Sequence, residues 1–249
     1  MREIIGPQPF YEPWLAQTLR LLWQLAGRSR ALDRRLSRVL DYRDFLPKLP
    51  PQKCIPEFES SRVVISQGPA GPWATPLVDT FVLLKGAVGF QPRRVLEIGS
   101  YLGVTARLLA ENTTEECRIY ALDQDSEHGQ AYRGLPIERK ITRLVGRASQ
   151  ELAGPGAPYD MVFIDGDHGR EGALFDSLLA WNLLSERGVI FWHDYQTDDY
   201  FIHRAGAVPE AIRTFQEVVG AQVVSLEGTM LALFSRYPGW ATCIKNIVN

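Results

Sequence analysis

Two short polar stretches, each directly after an apolar run, hold the residues of this sequence that are best suited to chemistry. The first is Asp165-Gly166-Asp167-His168 and the second is His193-Asp194-Tyr195. Carboxylates and imidazoles are ligands for divalent cations. Histidine is also the side chain best poised to accept a proton near neutral pH. If the two stretches meet, an ion could lower the pKa of a substrate hydroxyl while a nearby imidazole takes its proton.

The apolar runs before these stretches predict two buried β-strands, over residues 159–165 and 187–194. Both runs are almost continuously apolar, as expected for central strands of a parallel sheet. Because the carboxyl ends of parallel strands meet at one edge of the sheet, we expect Asp165, His168 and Asp194 to converge there. Alternatively, Asp165 or Asp167 could serve only as the N-cap of the following helix.

A glycine turn lies within residues 93–105, between a strand-like run and a helical pattern. Strand, turn and helix form the front half of a βαβ unit, and the crevice beyond such a strand is the usual ligand site. Gly99 and Gly103 let the backbone approach a ligand closely. Tyr101 stands where the dinucleotide fingerprint has its middle glycine. Glu97, just before the turn, would repel a pyrophosphate and favours a cationic ligand.

Alternating strands and helices continue along the chain. Strands are predicted over 118–123 and 141–146, and helices over 76–88, 171–185 and 209–219. The strand over 118–123 ends in Asp123, close to the ~20-residue offset at which an acid binds ribose hydroxyls; Asp125 is the nearby alternative. Runs over 222–226 and 230–235 are joined by so short a link that they must be antiparallel. The fold class is therefore α/β, with a doubly wound, mostly parallel sheet.

Composition bounds the remaining organisation. The 249 residues carry a formal net charge of −2, which shows no electrostatic footprint for nucleic acid or an anionic membrane. Three scattered cysteines and no leader-like N-terminus predict a cytoplasmic protein with reduced thiols. We expect an N-terminal helical extension and proline-marked linker over 1–60, and the main domain over 61–249. The 14–40 helices could form a lid, a dimer arm or a packed surface helix, and the loop 68–75 a cover for the site or an ordinary connection.

The pattern Glu97-x-Gly99-x-x-x-Gly103 resembles motif I of class I S-adenosylmethionine (SAM) methyltransferases. Residues 163–168 together with 188–195 resemble the Methyltransferase-24 family, and the likeness covers about residues 90–236. Its relatives are metal-dependent O-methyltransferases of the catechol and macrolide-sugar types. The resemblance implies a seven-stranded sheet in the order 3-2-1-4-5-7-6, with the last strand antiparallel. It also implies methyl transfer from SAM to a small hydroxylated molecule, such as a phenol, a glycoside or another natural product.

The resemblance further implies roles for individual residues. The methionine end of SAM would lie at Glu97 and Gly99, the ribose at Asp123, and the adenine at Ala148 and Ser149. The other expected cofactor-binding residues are Ser100, Tyr101, Gly103, Gln124 and Asp165. His168, as base, and Asp165 would be catalytic, and Asp165, His193 and Asp194 would hold a divalent cation. His193 stands where the relatives have an acidic ligand, so Mg²⁺, a softer divalent ion or no ion are all open.

Two other classes of function stay open beside the methyltransferase. One is a SAM-binding module without transfer activity that acts through a protein partner. The other is a nicotinamide-dependent oxidoreductase, against which Glu97 and the missing middle glycine both argue. For the methyltransferase we expect a small-molecule acceptor, no nucleic-acid or membrane partner, and a homodimer as one expected assembly.

Overall fold

The computed structural model describes residues 46–195, 207–240 and 244. By contacts the chain divides into two units, Met1–Asp44 and Phe45–Asn249, and the fold described below is that of the second. The helices predicted over 14–40 lie outside the described residues, so their role stays a prediction.

Eight strands and six α-helices make up the described fold. The strands are β1 (Lys48–Leu49), β2 (Arg94–Ile98), β3 (Arg118–Asp123), β4 (Ile141–Val145), β5 (Tyr159–Ile164), β6 (Leu184–Trp192), β7 (Val224–Leu226) and β8 (Ala232–Ser235). The helices are α1 (Pro51–Cys54), α2 (Leu77–Phe90), α3 (Val104–Asn112), α4 (Gln150–Ala153), α5 (Arg170–Leu183) and α6 (Ala207–Val219). Two short 3₁₀ helices span Pro136–Lys140 and Gly154–Gly156.

All eight strands belong to one sheet in the order β1-β7-β8-β6-β5-β2-β3-β4. Within the described residues β8 is the antiparallel strand, because it pairs in that sense with both β6 and β7. Without β1 this is the predicted seven-strand order, which is confirmed together with the α/β class. The fold differs from the prediction by the additional strand β1 at the edge.

Successive residues of the central strands alternate between two separate cores, one on each face of the sheet. In β2, Val95 packs with α2 and α3, whereas Leu96 packs with α5 and α6. In β5 the same division separates Phe163 from Val162. Side chains of a strand point to opposite faces, so both faces of these strands must be apolar. This explains the continuous apolar runs and leaves the strand ends as the place for polar groups.

Residues 47–60, predicted to form a linker, instead take part in this sheet. Lys48 and Leu49 pair with Ser225 and Leu226 of β7 in parallel register, and Ile55 is buried in the core. The compact unit thus begins well before residue 61. None of the helices in the described parts of the chain combines the length and apolar character needed to cross a membrane.

Candidate functional site

A cavity of about 1220 Å³ opens at the carboxyl ends of β2, β3, β5 and β6. Nine of the predicted site residues line it: Gly99, Tyr101, Asp123, Gln124, Ala148, Asp165, His168, His193 and Asp194. Ser100 lines a smaller adjoining cavity of about 20 Å³ that also includes Asp165. Polar residues at the carboxyl ends of four strands therefore meet in one cavity, as expected for a parallel sheet.

Gly99 makes the turn between β2 and α3 possible. Its φ is 89°, a left-handed conformation that non-glycine residues rarely adopt. A Cβ added there would lie 2.1 Å from the carbonyl oxygen of Asp165, so the turn passes directly against the loop after β5. This close approach ties the glycine turn to the loop that carries Asp165.

Glu97 lies beneath the turn, with only 1% of its surface exposed. Burial raises the pKa of Glu97 to about 8, and the nearby charges of Asp165 and Asp123 act in the same direction. Among the described residues its Oε2 atom has no hydrogen-bond partner. A buried acceptor without a donor is costly, which indicates a site prepared for a donor that arrives with a ligand.

Asp123 is held firmly at the end of β3. Its Oδ2 accepts the backbone N–H of Tyr101 at 2.7 Å, and its Oδ1 accepts the backbone N–H of Asp125 at 2.9 Å. The Nδ1 atom of His128 also lies 2.9 Å from Oδ1. Asp123, and not Asp125, is thus the acid that joins the glycine turn to the cavity wall.

Besides Ser100, three predicted cofactor residues lie away from the wall of the large cavity. Glu97 is buried below it, as described above, and Gly103 packs against the ring of Tyr132 and starts α3. Ser149 caps α4, because its Oγ accepts the backbone N–H of Leu152 at 3.2 Å. The contact predicted between adenine and Ser149 stays a prediction, while Ala148 lines the cavity.

The loops after β5 and β6 meet at a cluster of carboxylates and imidazoles. His168 Nε2 lies 2.7 Å from Asp194 Oδ2 and 3.9 Å from Asp165 Oδ1. The hydrogen bond to Asp194 raises the pKa of His168. Burial alone would raise the pKa of Asp194, but hydrogen bonds from His168 and His193 hold it below its usual value. The φ of Asp194 is 57°, a strained value of the kind found at functional sites.

His193 is enclosed by three carboxylates. Its Nε2 lies 3.2 Å from Asp79 Oδ2, and its Nδ1 lies 3.2 Å from Asp165 Oδ1 and 3.3 Å from Asp194 Oδ1. Burial would lower the pKa of His193, but these neighbours, Asp165 first, raise it well above its ordinary value. The raised pKa favours the protonated form of His193, in which both ring nitrogens donate, and the residue is 7% exposed.

Both ring nitrogens of His193 face carboxylates in this arrangement, so a cation would have to replace one of these contacts to bind the ring. Another set, Asp165, His168 and Asp194, does offer ligand atoms that all lie within 4.8 Å of one another. Two carboxylates and one imidazole fit a divalent first-row ion. This donor set therefore fits a cation, and the ligand role predicted for His193 stays a prediction.

The loop before α2 closes one side of the cavity. Thr75 donates from Oγ1 to Asp165 Oδ2 at 3.0 Å, and a Cβ added at Gly71 would lie 2.7 Å from the hydroxyl oxygen of Tyr101. Trp73, between them, lines the cavity while 64% of its surface stays exposed. The loop 68–75 thus packs on the glycine turn and extends the cavity wall.

The sequence did not reveal several residues that shape the site. Asp79 lies on α2 and Thr75 just before it, far in sequence from the strands whose ends they contact. Asp176 of α5 also lines the cavity, and burial raises the pKa of its carboxyl group to about 6. None of these residues belongs to a short motif. His128 had a local signal, since it follows Asp123 within one acidic loop.

Sequence comparison matches residues 96–195 to the family of methyltransferase domains. A catechol O-methyltransferase of Mycobacterium tuberculosis is 32% identical over 115 residues, which cover 43% of this chain and 49% of that protein. The O-methyltransferase hkm8 of Aspergillus hancockii is 27% identical over 157 residues, 60% of this chain and 59% of that protein. The chain thus spans about half to three fifths of the length of these relatives.

Solved structures share the fold at low sequence identity. The Podospora anserina methyltransferase PaMTH1 matches with a TM-score of 0.55 and 17% identity, covering 84% of this chain and 96% of that one. An O-methyltransferase of Bacillus cereus matches with a TM-score of 0.51 and 16% identity, covering 88% and 98%. The matched residues 96–195 run from β2 to the loop after β6 and include the acids at three strand ends. Residues 96–195 therefore resemble a methyltransferase domain, and the described fold is shared with these solved structures.

Proposed function

We propose that this domain is a SAM-dependent O-methyltransferase that acts on a hydroxyl group of a small molecule. The observation that carries the proposal is that one cavity joins the glycine turn, Asp123 and the His168–Asp194 pair. SAM bears a sulfonium and an ammonium group and no phosphate, so a wall rich in carboxylates suits it. The two relatives are named as O-methyltransferases, and the two matched structures are described as holding S-adenosylhomocysteine (SAH).

Within this proposal the cofactor lies across the ends of β2, β3 and β4. The ammonium group of its methionine part is attracted by Glu97, whose Oε2 has no hydrogen-bond partner among the described residues. Its ribose lies at Asp123 and Gln124, and its adenine against Ala148, all of which line the cavity. The methyl group then faces Asp165 and His168, the end of the cavity where an acceptor hydroxyl can reach both.

The transfer itself needs one proton to be removed. The acceptor oxygen attacks the methyl carbon, the carbon–sulfur bond breaks, and the sulfonium becomes the neutral thioether of SAH. The hydroxyl proton passes to the imidazole of His168, whose Nε2–H donates to Asp194; this contact orients the ring and stabilises its charged form. A divalent cation held by Asp165 and Asp194 would lower the pKa of the acceptor hydroxyl. Because His168 Nε2 donates to Asp194, we assign His168 the proton and the two carboxylates the cation.

Cofactor binding is tested by thermal unfolding with SAM, SAH or NAD. SAM and SAH should raise the melting temperature and NAD should not, since ligands stabilise the state that they bind. Asp123→Ala should remove the shift, whereas Asp125→Ala, an exposed acid of the same loop, should keep it. A larger shift with NAD than with SAH would favour an oxidoreductase and refute the proposal.

Transfer is tested with labelled SAM and a panel of catechols, other phenols and glycosides. Methylation of at least one hydroxylated acceptor is expected. Removal of divalent ions with EDTA should slow the reaction, and added Mn²⁺ or Mg²⁺ should restore it; a rate indifferent to EDTA would exclude the cation. Tight SAH binding with no transfer to any acceptor of the panel would instead favour a SAM-binding module that works through a partner.

A further inference from the structure

His128 lies on the cavity wall beside Asp123, and the mechanism above gives it no role. Its Nδ1 lies 2.9 Å from Asp123 Oδ1, whereas its Nε2 is 3.7 Å from Asp125 Oδ2, beyond hydrogen-bond range. An ionised carboxylate only accepts, so Nδ1 carries the proton of this bond. In the neutral ring, Nε2 is then a hydrogen-bond acceptor. Asp125 does not form a hydrogen bond with it.

The acceptor capacity of Asp123 is nearly used up by the protein itself. A carboxylate offers about four lone-pair positions. The backbone N–H of Tyr101 takes one on Oδ2, and the backbone N–H of Asp125 and the ring of His128 take two on Oδ1. One position remains, on Oδ2. A ribose presents two adjacent hydroxyl donors, so the second hydroxyl needs an acceptor other than Asp123.

The loop that carries His128 is fixed in place. Arg133 and Arg143 both donate to the carbonyl oxygens of Ser126 and His128. The ring of His128 meets the ring of Tyr101 edge to face, with centroids 4.9 Å apart. Because backbone and ring are both held, the position of the imidazole is built into the site and is not the chance pose of a surface side chain.

We propose that His128 shares the recognition of the cofactor ribose with Asp123. Asp123 accepts one hydroxyl through Oδ2, and His128 accepts the other through Nε2 while its Nδ1–H keeps the carboxylate in position. His128 is thus a positioning and specificity-determining residue that does not touch the reacting atoms. The inference rests on the proposed function, because it takes a SAM-type cofactor as the ligand of Asp123.

The test measures SAH affinity by calorimetry for the wild type, His128→Ala, His128→Asn and the exposed neighbour Glu127→Ala. His128→Ala should weaken SAH binding about two- to tenfold, the loss expected for one hydrogen bond between neutral groups. His128→Asn offers an amide N–H close to the place of Nδ1–H and should recover part of that loss. Glu127→Ala should bind as the wild type does. In turnover, His128→Ala should raise the KM for SAM and leave kcat unchanged.

Analogues of SAH that lack the 2′- or the 3′-hydroxyl then locate the contact. The wild type should bind both analogues more weakly than SAH. In His128→Ala, one of the two deletions should cost no further affinity, because its hydroxyl has already lost its partner; such non-additivity identifies a direct pair. His128→Asn should show the same indifference to that analogue, because it restores the donor to Asp123 and not the acceptor.

The outcomes separate this inference from the function on which it rests. If the wild type binds SAH and His128→Ala binds it equally well, the role of His128 is refuted and the proposed function stands. The role of His128 is likewise refuted if the removal of either ribose hydroxyl weakens SAH binding by the same factor in the wild type and in His128→Ala. If the wild type does not bind SAH, both proposals fall together. Unchanged melting temperatures of the unliganded variants would show that the affinities report on the site.

Discussion

The Nε2 atom of His168 lies 2.7 Å from the Oδ2 atom of Asp194, although the two residues follow different strands. The contact raises the pKa of His168, and it helps to hold the pKa of Asp194 down against the effect of burial. His168 is thus oriented by a carboxylate at the mouth of the cavity, the arrangement that a general base requires.

His168→Ala is expected to lower kcat for methyl transfer by about 10²- to 10⁴-fold, the usual contribution of general acid–base catalysis. The affinity for SAH should stay as in the wild type, because His168 contacts the acceptor end of the cavity. Steady-state kinetics and calorimetry measure the two effects separately. An unchanged kcat would remove His168 from the reaction, and a parallel loss of SAH affinity would point to a distorted loop.

Asp79→Ala tests the buried imidazolium of His193. Asp79 is 1% exposed, accepts the backbone N–H of Met230 at 3.0 Å and faces His193. Removing one partner of a buried ion pair costs about 3–5 kcal/mol, so urea unfolding should show a loss of this order. Asp125→Ala, at a site where 51% of the side chain is exposed, should stay within about 0.5 kcal/mol of the wild type. Equal stabilities of the two variants would contradict the pairing.

The meeting of Asp165 and Asp194 was predictable from the sequence. Each acid ends a continuously apolar run, and such runs form the central strands of a parallel sheet, whose carboxyl ends share one edge. The observed pairing of Ile164 with Trp192 sets the two loops side by side. This prediction requires only that a segment be recognised as a buried parallel strand and that its end be located. The local sequence contains both kinds of information.

The role of His193 was not predictable in the same way. Its protonation depends on Asp79, which reaches it from α2, and strand or helix periodicity does not say which helix residue meets which strand end. The two-residue strand β1 was missed for a related reason. Lys48 and Leu49 lie among prolines that suggest a linker, and only pairing with β7 makes them a strand. Both cases concern contacts between segments that are distant in sequence.

Gly99→Ala is expected to abolish SAH binding and to destabilise the fold by several kcal/mol. The new Cβ would lie 2.1 Å from the backbone oxygen of Asp165, so the turn and the loop must separate. Gly228→Ala is the matched control, because Gly228 also has a positive φ, 76°, but open space around it. It should cost only the strain of a left-handed residue, about 1–2 kcal/mol. Similar losses in both variants would show that the contact with Asp165 is unimportant.

Glu97→Gln is expected to change how stability depends on pH. Burial raises the pKa of Glu97 to about 8 from an ordinary 4.5, so the folded chain holds this proton more tightly than the unfolded chain does. The resulting stabilisation is complete below pH 4.5 and is lost as the pH rises through 8. Glu97→Gln cannot ionise, so it should match the wild type near pH 5 and exceed its stability near pH 8.5. Urea unfolding at the two pH values measures the difference.

The same variant tests whether Glu97 meets the cofactor ammonium. At pH 7 the carboxyl is largely protonated in the unliganded protein, and a cation beside it favours the ionised form. Binding of SAH should therefore release up to one proton, seen by calorimetry as a binding enthalpy that varies with the ionisation enthalpy of the buffer. Glu97→Gln should bind SAH at least about tenfold more weakly, as for the loss of a charged hydrogen bond, and with an enthalpy independent of buffer. Proton release that persists in Glu97→Gln would assign the proton to another group and leave the buried Oε2 without its expected partner.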